Sequence, residues 1–215
     1  LGVDGAPLHG RMDSFVLKTD VHFPTDINLL YDAVRKAIEL TAALCDAVGV
    51  SSWRQYEHHI RRFKRSYRQV QKSKCRKKDH SVLNKQYENY LGEAVYYLRR
   101  VQATIGRLDD GDIFVACRIA NIKQFVDHAI RQIDQIRRRI FNQETIPHRE
   151  KVFSLFQPHT EWIVKGKAGV SVELGIRVGI VEDQYRFLLH HRVMEQETDD
   201  KVAVAMTVAT KKLFP

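Results

Sequence analysis

Asp13 sits in an otherwise apolar stretch, Arg11 to Val21. A carboxylate turned inward there costs free energy unless it is paired or holds a metal ion. A metal-ligand role accounts for it, and so does a place on the outer face of the strand. Asp20 and Asp26 flank the turn that follows and read as capping or turn residues.

The densest charge lies between Arg54 and Lys78. Arg54, Arg61, Arg62, Lys64, Arg65, Arg68, Lys72, Lys74, Arg76, Lys77 and Lys78 are set against Glu57 alone, with His58 and His59 as further potential charge. Arg61, Arg65, Arg68 and Lys72 recur at the three-to-four spacing of one helical face. Such a face can follow a phosphate backbone, with an affinity that falls steeply in salt. A solvated helix face, or a patch that meets an acidic surface, gives the same pattern. No aromatic residues interleave on this face as single-strand stacking requires; Trp53, Phe63 and Tyr67 fit the apolar side. Lys165 and Lys167 flank Gly166 ahead of a long strand. They are a weak phosphate-loop signal without P-loop spacing, and a turn with two exposed lysines reads equally well. Arg137-Arg138-Arg139 closes a helix, where cations favour the dipole, so a structural role competes with DNA contact.

Other chemistry is not legible. His190 and His191 alternate across a strand and cannot readily share a metal. Cys45, Cys75 and Cys117 lack zinc-ligand spacing and read as scattered thiols of a reducing compartment.

These residues must be positioned by three zones. In residues 1–26, Arg11 to Val21 has strand propensity. Asp13, Phe15 and Leu17 share one face; Met12, Ser14 and Val16 share the other. Thr25 or Asp26 caps the next helix. Residues 27–147 contain no proline before Pro147 and read as a helical, basic block. Its first helix is stopped by Gly49. Ser51 or Ser52 caps a second, about Trp53 to Lys72, with a stripe of Trp53, Tyr56, Ile60, Phe63, Tyr67 and Val70. A third runs from about Val82 to Leu108, with Tyr87, Leu91, Ala94, Val95, Leu98, Val101 and Ile105 inward. A fourth runs from about Ile113 to Phe141, with Ile119, Ile122, Val126, Ile130, Ile133, Ile136 and Ile140 inward. Residues 148–215 return to strands. Val152 to Phe156 and Trp162 to Val164 are short ones. Val170, Val172, Leu174, Ile176, Val178 and Ile180 alternate as the inward face of a half-buried strand. After a turn at Glu182-Asp183-Gln184, Tyr185, Phe187, Leu189, His191 and Val193 alternate again, which predicts a hairpin. Asp199 or Asp200 caps a last helix, with Val202, Met206, Ala209 and Leu213 at three-to-four spacing. The order predicts an α/β fold with a large all-α insertion after the first strand.

The chain has 215 residues and a net charge of +9, with 44% hydrophobic and 28% charged residues. That permits a sizeable core and favours polyanionic partners. There is no signal-peptide pattern and no apolar run of membrane-spanning length, so a cytoplasmic protein with no membrane partner is expected. Leu1 is not an initiator Met, and both ends look cut.

Two blocks carry a resemblance to a family. Met12-Asp13-Ser14-Phe15-Val16-Leu17-Lys18-Thr19-Asp20-Val21-His22-Phe23-Pro24-Thr25-Asp26 resembles the first catalytic strand of bacterial insertion-sequence transposases. There an Asp-Ser/Thr-Thr-Val-Val strand enters an Ile-His-Tyr-Pro-Thr-Asp turn and a Leu-Leu helix; Ile27-Asn28-Leu29-Leu30 follows here. Phe15 stands where Thr is common. The stretch Val152 to Gly169, continued by Val172-Glu173-Leu174-Gly175, the hairpin to Met194 and the helix ending in Leu213-Phe214-Pro215, looks like the strand block of the same group. The likeness is nearest to the ISNCY-type transposases and covers the flanks better than the helical middle. It implies a partial RNase H-like catalytic core, and a triad of two Asp and one Glu that holds two Mg²⁺ or Mn²⁺ ions. Of that triad only Asp13 is matched here, as catalytic and metal-ligating residue. By the resemblance, the complete enzyme hydrolyses a phosphodiester at a transposon end and directs the freed 3′-hydroxyl to target DNA. Its partners would be double-stranded DNA and further copies of itself, its location the bacterial cytoplasm and nucleoid. The expected DNA-binding residues are Arg61, Arg62, Lys64, Arg65, Arg68, Lys72, Lys165 and Lys167. With one triad member the chain alone is expected to be inactive. The alternative is a non-catalytic basic helical DNA-binding module, a decayed or domesticated transposase.

Overall fold

A computed structural model describes residues 7–75, 80–165, 169 and 171–214. The chain is mixed α/β and divides into two units. One combines Leu1–Phe23 with Phe156–Pro215; the other is Pro24–Leu155. Residues 148–155, expected among the strands, therefore belong with the helices.

The first unit is an antiparallel sheet with one helix. Its strands are β1 (Arg11–Lys18), β2 (Glu161–Val164), β3 (Val172–Glu182) and β4 (Leu188–Met194), followed by the helix α5 (Asp199–Leu213). β3 pairs with β1 along one edge and with β2 and β4 along the other. Directly opposed residues share a face. The register therefore puts Asp13, Phe15 and Leu17 beside Ile180, Val178 and Ile176, and these beside His191 and Val193. Trp162 and Val164 extend the same face opposite Leu174 and Val172.

That face was expected to be the buried one, and it is not. The small core of this unit lies on the opposite face, where Val181 and Met194 meet Val202 and Met206 of α5, with Met12 and Leu189 at its margin. Gly179 explains the choice. A Cβ there would lie 2.9 Å from the Met206 sulfur and 3.2 Å from that of Met194, so a larger residue would have to displace these buried methionine side chains, and glycine favours the close approach of α5. The Val172–Ile180 row is only half-buried, and Phe15 and Leu17 on β1 keep 45% and 56% of their surface exposed.

Val152 to Phe156 forms no strand. Val152 and Leu155 pack into the core of the helices instead. Tyr185 and Phe187 lie in the hairpin loop, because the Asp183 carboxylate accepts both their amides at 2.8 Å. The register then shifts between Val181 and Glu182, and this bulge turns Leu189 to the α5 side. At α5 the cap position is Thr198, with Asp199 and Asp200 in the first turn. Its inward stripe is Val202, Met206 and Thr210, and Leu213 is exposed.

The second unit is four helices: α1 (Asp26–Ala47), α2 (Tyr56–Cys75), α3 (His80–Ile105) and α4 (Ile113–Ile140). α1 packs on the other three, and α3 packs on both α2 and α4. Thr25 caps α1 through the Asn28 amide, and Asp112 caps α4 through Phe114 N at 2.7 Å. Gly49, at φ +74°, carries the chain out of α1. α2 does not start at Trp53 with a serine cap. Ser51–Trp53 is a separate 3₁₀ turn, pinned because the buried Trp53 indole donates to Thr104 Oγ1 at 3.0 Å.

The stripes expected for α2, α3 and α4 close the core, except that Ile130 remains 49% exposed. An aromatic group fills the centre: Phe63 stacks on Tyr90 at 5.1 Å, and Tyr31 on Tyr67 at 4.7 Å. Gln135 is buried on α4 and donates to Glu150 O at 2.7 Å, which ties 148–155 to the bundle. Among the described residues, no helix is long and apolar enough to cross a membrane.

Candidate nucleic-acid interface

α2 presents two sides of different chemistry. Phe63, Ser66, Val70 and Ser73 are buried, while Arg61, Arg62, Lys64, Arg65, Arg68 and Lys72 are exposed. At 1.5 Å per residue, Arg61 and Lys72 stand roughly 16 Å apart along the axis. Arg61 has a loose contact with Glu57 at 3.9 Å. Arg62 is drawn toward α3 by Glu93 at 3.3 Å, which raises the guanidinium's pKa further. Lys64, Arg65, Arg68 and Lys72 have no carboxylate partner among the described residues. Like charges at i,i+4, as in Arg61/Arg65, Lys64/Arg68 and Arg68/Lys72, each destabilise a helix by about 0.2–0.5 kcal/mol. The array thus opposes folding slightly, and its Lys64, Arg65, Arg68 and Lys72 have no counterion among the described residues.

The other cations differ. Arg138 is held by Glu144 at 2.9 Å and Glu150 at 2.6 Å, and Arg139 by Asp26 at 2.9 Å. The Arg137–Arg139 run is therefore at least partly structural. Lys165, expected to bind DNA, forms an ion pair with Glu173 at 3.0 Å across the β2–β3 pair. Lys167 lies outside the described residues, as do Arg76, Lys77 and Lys78. A cleft of about 760 Å³ beside Arg54 is walled by Glu39, Asp46, Trp53 and Tyr56; its carboxylates make it a poor phosphate site.

No protein-family model, curated protein or solved structure matches the chain.

Asp13 is exposed, on the open face of the sheet, and its Oδ1 accepts the Ser14 amide at 2.8 Å. The outward reading of this residue holds. On the same face, one pair further along, Glu182 is already paired with Arg11. Among the described residues, no three His, Cys, Asp or Glu side chains group to hold a metal ion. The donors near Asp13 do not fit a two-ion centre, and Asp13 could supply one ligand of it at most.

One cluster left no sequence signal. Arg100 of α3 lies over the Trp53 ring at 4.4 Å and donates to Ser52 O at 3.0 Å and to His59 Nε2 at 2.9 Å. Since guanidinium only donates, His59 accepts as a neutral imidazole with its proton on Nδ1. Burial, then Arg100, His58 and Arg62, lower the His59 pKa below 6.5. His128 is lowered too, by burial and then Arg131. Both histidines bind protons more readily in the unfolded chain. Stability is therefore fully present above the unfolded value of 6.5 and falls as pH drops below it. Urea unfolding should give a lower free energy at pH 5.5 than at pH 7.5, with a smaller drop in His59→Asn/His128→Asn. An equal drop in both proteins would remove these imidazoles as the cause.

Proposed function

We propose that this chain is part of a DNA transposase of the Asp-Asp-Glu, RNase H-like type, and that the cationic face of α2 holds double-stranded DNA. The observation that carries the DNA reading is the array Lys64, Arg65, Arg68 and Lys72, uncompensated among the described residues, in a protein whose Lys165, Arg138 and Arg139 are paired with carboxylates. A duplex supplies the missing counterion as an evenly charged rod, and its binding releases condensed cations. The transposase reading rests on the resemblance. It is supported by a sheet whose first strand carries Asp13 on an open face, and by a helical unit inserted directly after that strand.

Within this reading the chain's own residues bind and orient DNA. Mg²⁺ or Mn²⁺ ions would supply the hydrolytic and strand-transfer chemistry in the complete enzyme, and Asp13 alone does not assemble their site. The non-catalytic alternative, a basic DNA-binding module, rests on the same cationic face of α2 and requires no metal site at Asp13.

Titration of a short duplex at several salt concentrations tests the binding. Four to six phosphate contacts predict a slope of log K against log salt of roughly −4 to −5; a slope near zero refutes the contact. The purified chain should not nick transposon-end DNA in Mg²⁺ or Mn²⁺, and metal-dependent nicking would overturn the assignment of inactivity. Reading the gene past the Pro215 codon separates the two readings. An Asp-bearing strand and a distant Glu support the transposase. An immediate stop leaves the binding module.

A further inference from the structure

α3 and α4 leave a groove of about 370 Å³ between them. Its floor is apolar, from Val95, Leu98, Ile130 and Ile133, and Arg99 and Arg137 stand on its opposite banks. Ile130 is 49% exposed although Val126 and Ile133, on the same stripe, are 3% and 6% exposed. Arg99 and Arg137 are both exposed and have no ion-pair partner among the described residues. Asp134, on the same bank as Arg137, contacts Arg138 at 3.4 Å. At 3.6 residues per turn, Val95 and Arg99 lie on the side of α3 away from Glu93 and Arg100, which meet α2 through Arg62 and His59. The groove is therefore a different surface from the cationic face of α2.

We propose that this groove docks an acidic amphipathic helix of a partner protein. Apolar side chains at i, i+3 or i+4, and i+7 would cover Ile130 and Val95, the usual way a helix fills a groove between two others. Asp or Glu residues flanking that stripe would meet Arg99 on one bank and Arg137 on the other. A duplex gains nothing from the apolar floor. A second copy of the chain would bring its own Arg99 and Arg137, and a net charge of +9, against the same surface.

The test is a display library of helical peptides with a fixed apolar stripe and randomised flanks, selected on the whole chain at about 0.15 M salt. Enriched peptides should carry an excess of Asp and Glu beside the stripe. Ile130→Glu should weaken their binding about tenfold or more, and so should Arg99→Glu/Arg137→Glu, since a buried apolar anchor and its flanking charge pairs dominate such contacts. Both variants alter exposed side chains, and circular dichroism confirms their helices. Their duplex affinity should stay within about twofold of the parent, because the α2 contacts that set it are untouched. No enrichment, enrichment of neutral or basic flanks, or binding unaffected by both variants overturns the proposal. A dimer of the chain lost in Ile130→Glu would give the groove to a second copy instead. A duplex affinity that falls in Arg99→Glu/Arg137→Glu would give it to DNA.

Discussion

Replacing Arg61, Arg65 and Arg68 together with alanine is expected to weaken duplex binding about a hundredfold near 0.15 M salt. It should also flatten the salt slope by roughly 2.7. Each neutralised phosphate contributes about 0.9 to the slope, so three lost contacts account for both figures. Arg62→Ala should cost less, because Glu93 already shares its guanidinium at 3.3 Å. Lys165→Ala should leave affinity unchanged, since Lys165 is paired with Glu173. The triple variant should melt no lower than the parent, because it relieves the Arg61/Arg65 repulsion on an exposed helix face. Anisotropy titration and thermal melting of the same samples separate lost contact from lost fold. An unchanged slope would exclude this face as the interface.

Tyr90→Ala should destabilise the helical unit by about 3–5 kcal/mol, as large-to-small changes at buried aromatics do. Tyr90 is fully buried, stacks on Phe63 at 5.1 Å and donates its hydroxyl to Ile27 O at 2.8 Å. The phenol's pKa is raised well above 10 by burial, so it remains a donor throughout the working range of pH. A loss of that size is a large share of the roughly 5–15 kcal/mol that holds a domain together. Tyr90→Phe keeps the ring and removes one hydrogen bond, so it should cost only about 1 kcal/mol. Urea unfolding followed by Trp53 fluorescence reads both. Equal effects would mean that the hydroxyl, not the ring, holds the helices.

The helices were legible because their stripes repeat over many turns. Phe63, Val70, Leu91, Leu98, Ile122 and Ile136 are all buried where the spacing expects them. Tyr90 and Tyr97 were missed because they flank the α3 stripe and are buried by Phe63 of α2, a contact between elements that spacing within α3 does not encode. The sheet misled for a different reason. Alternation separates two faces but does not say which is covered. On β3 the apolar row is Val172 to Ile180, yet Gly179 on the other row admits α5. That choice depends on a helix twenty residues further along, roughly, and on sulfur-to-backbone distances that no local pattern encodes. The strand expected at Val152 to Phe156 failed because its apolar residues serve the bundle. For the site, the cationic face of α2 was readable from spacing. The capture of Arg62 by Glu93 and of Lys165 by Glu173 was not, because those partners come from other elements.

DNA contact at α2 is tested most directly by lysine reactivity in the presence and absence of saturating duplex. Lys64 and Lys72 should become protected, while Lys123 on α4 and Lys201 on α5, both exposed, react as before. Unchanged reactivity at Lys64 and Lys72 in a chain that binds DNA, or protection at Lys123 or Lys201 instead, would contradict it.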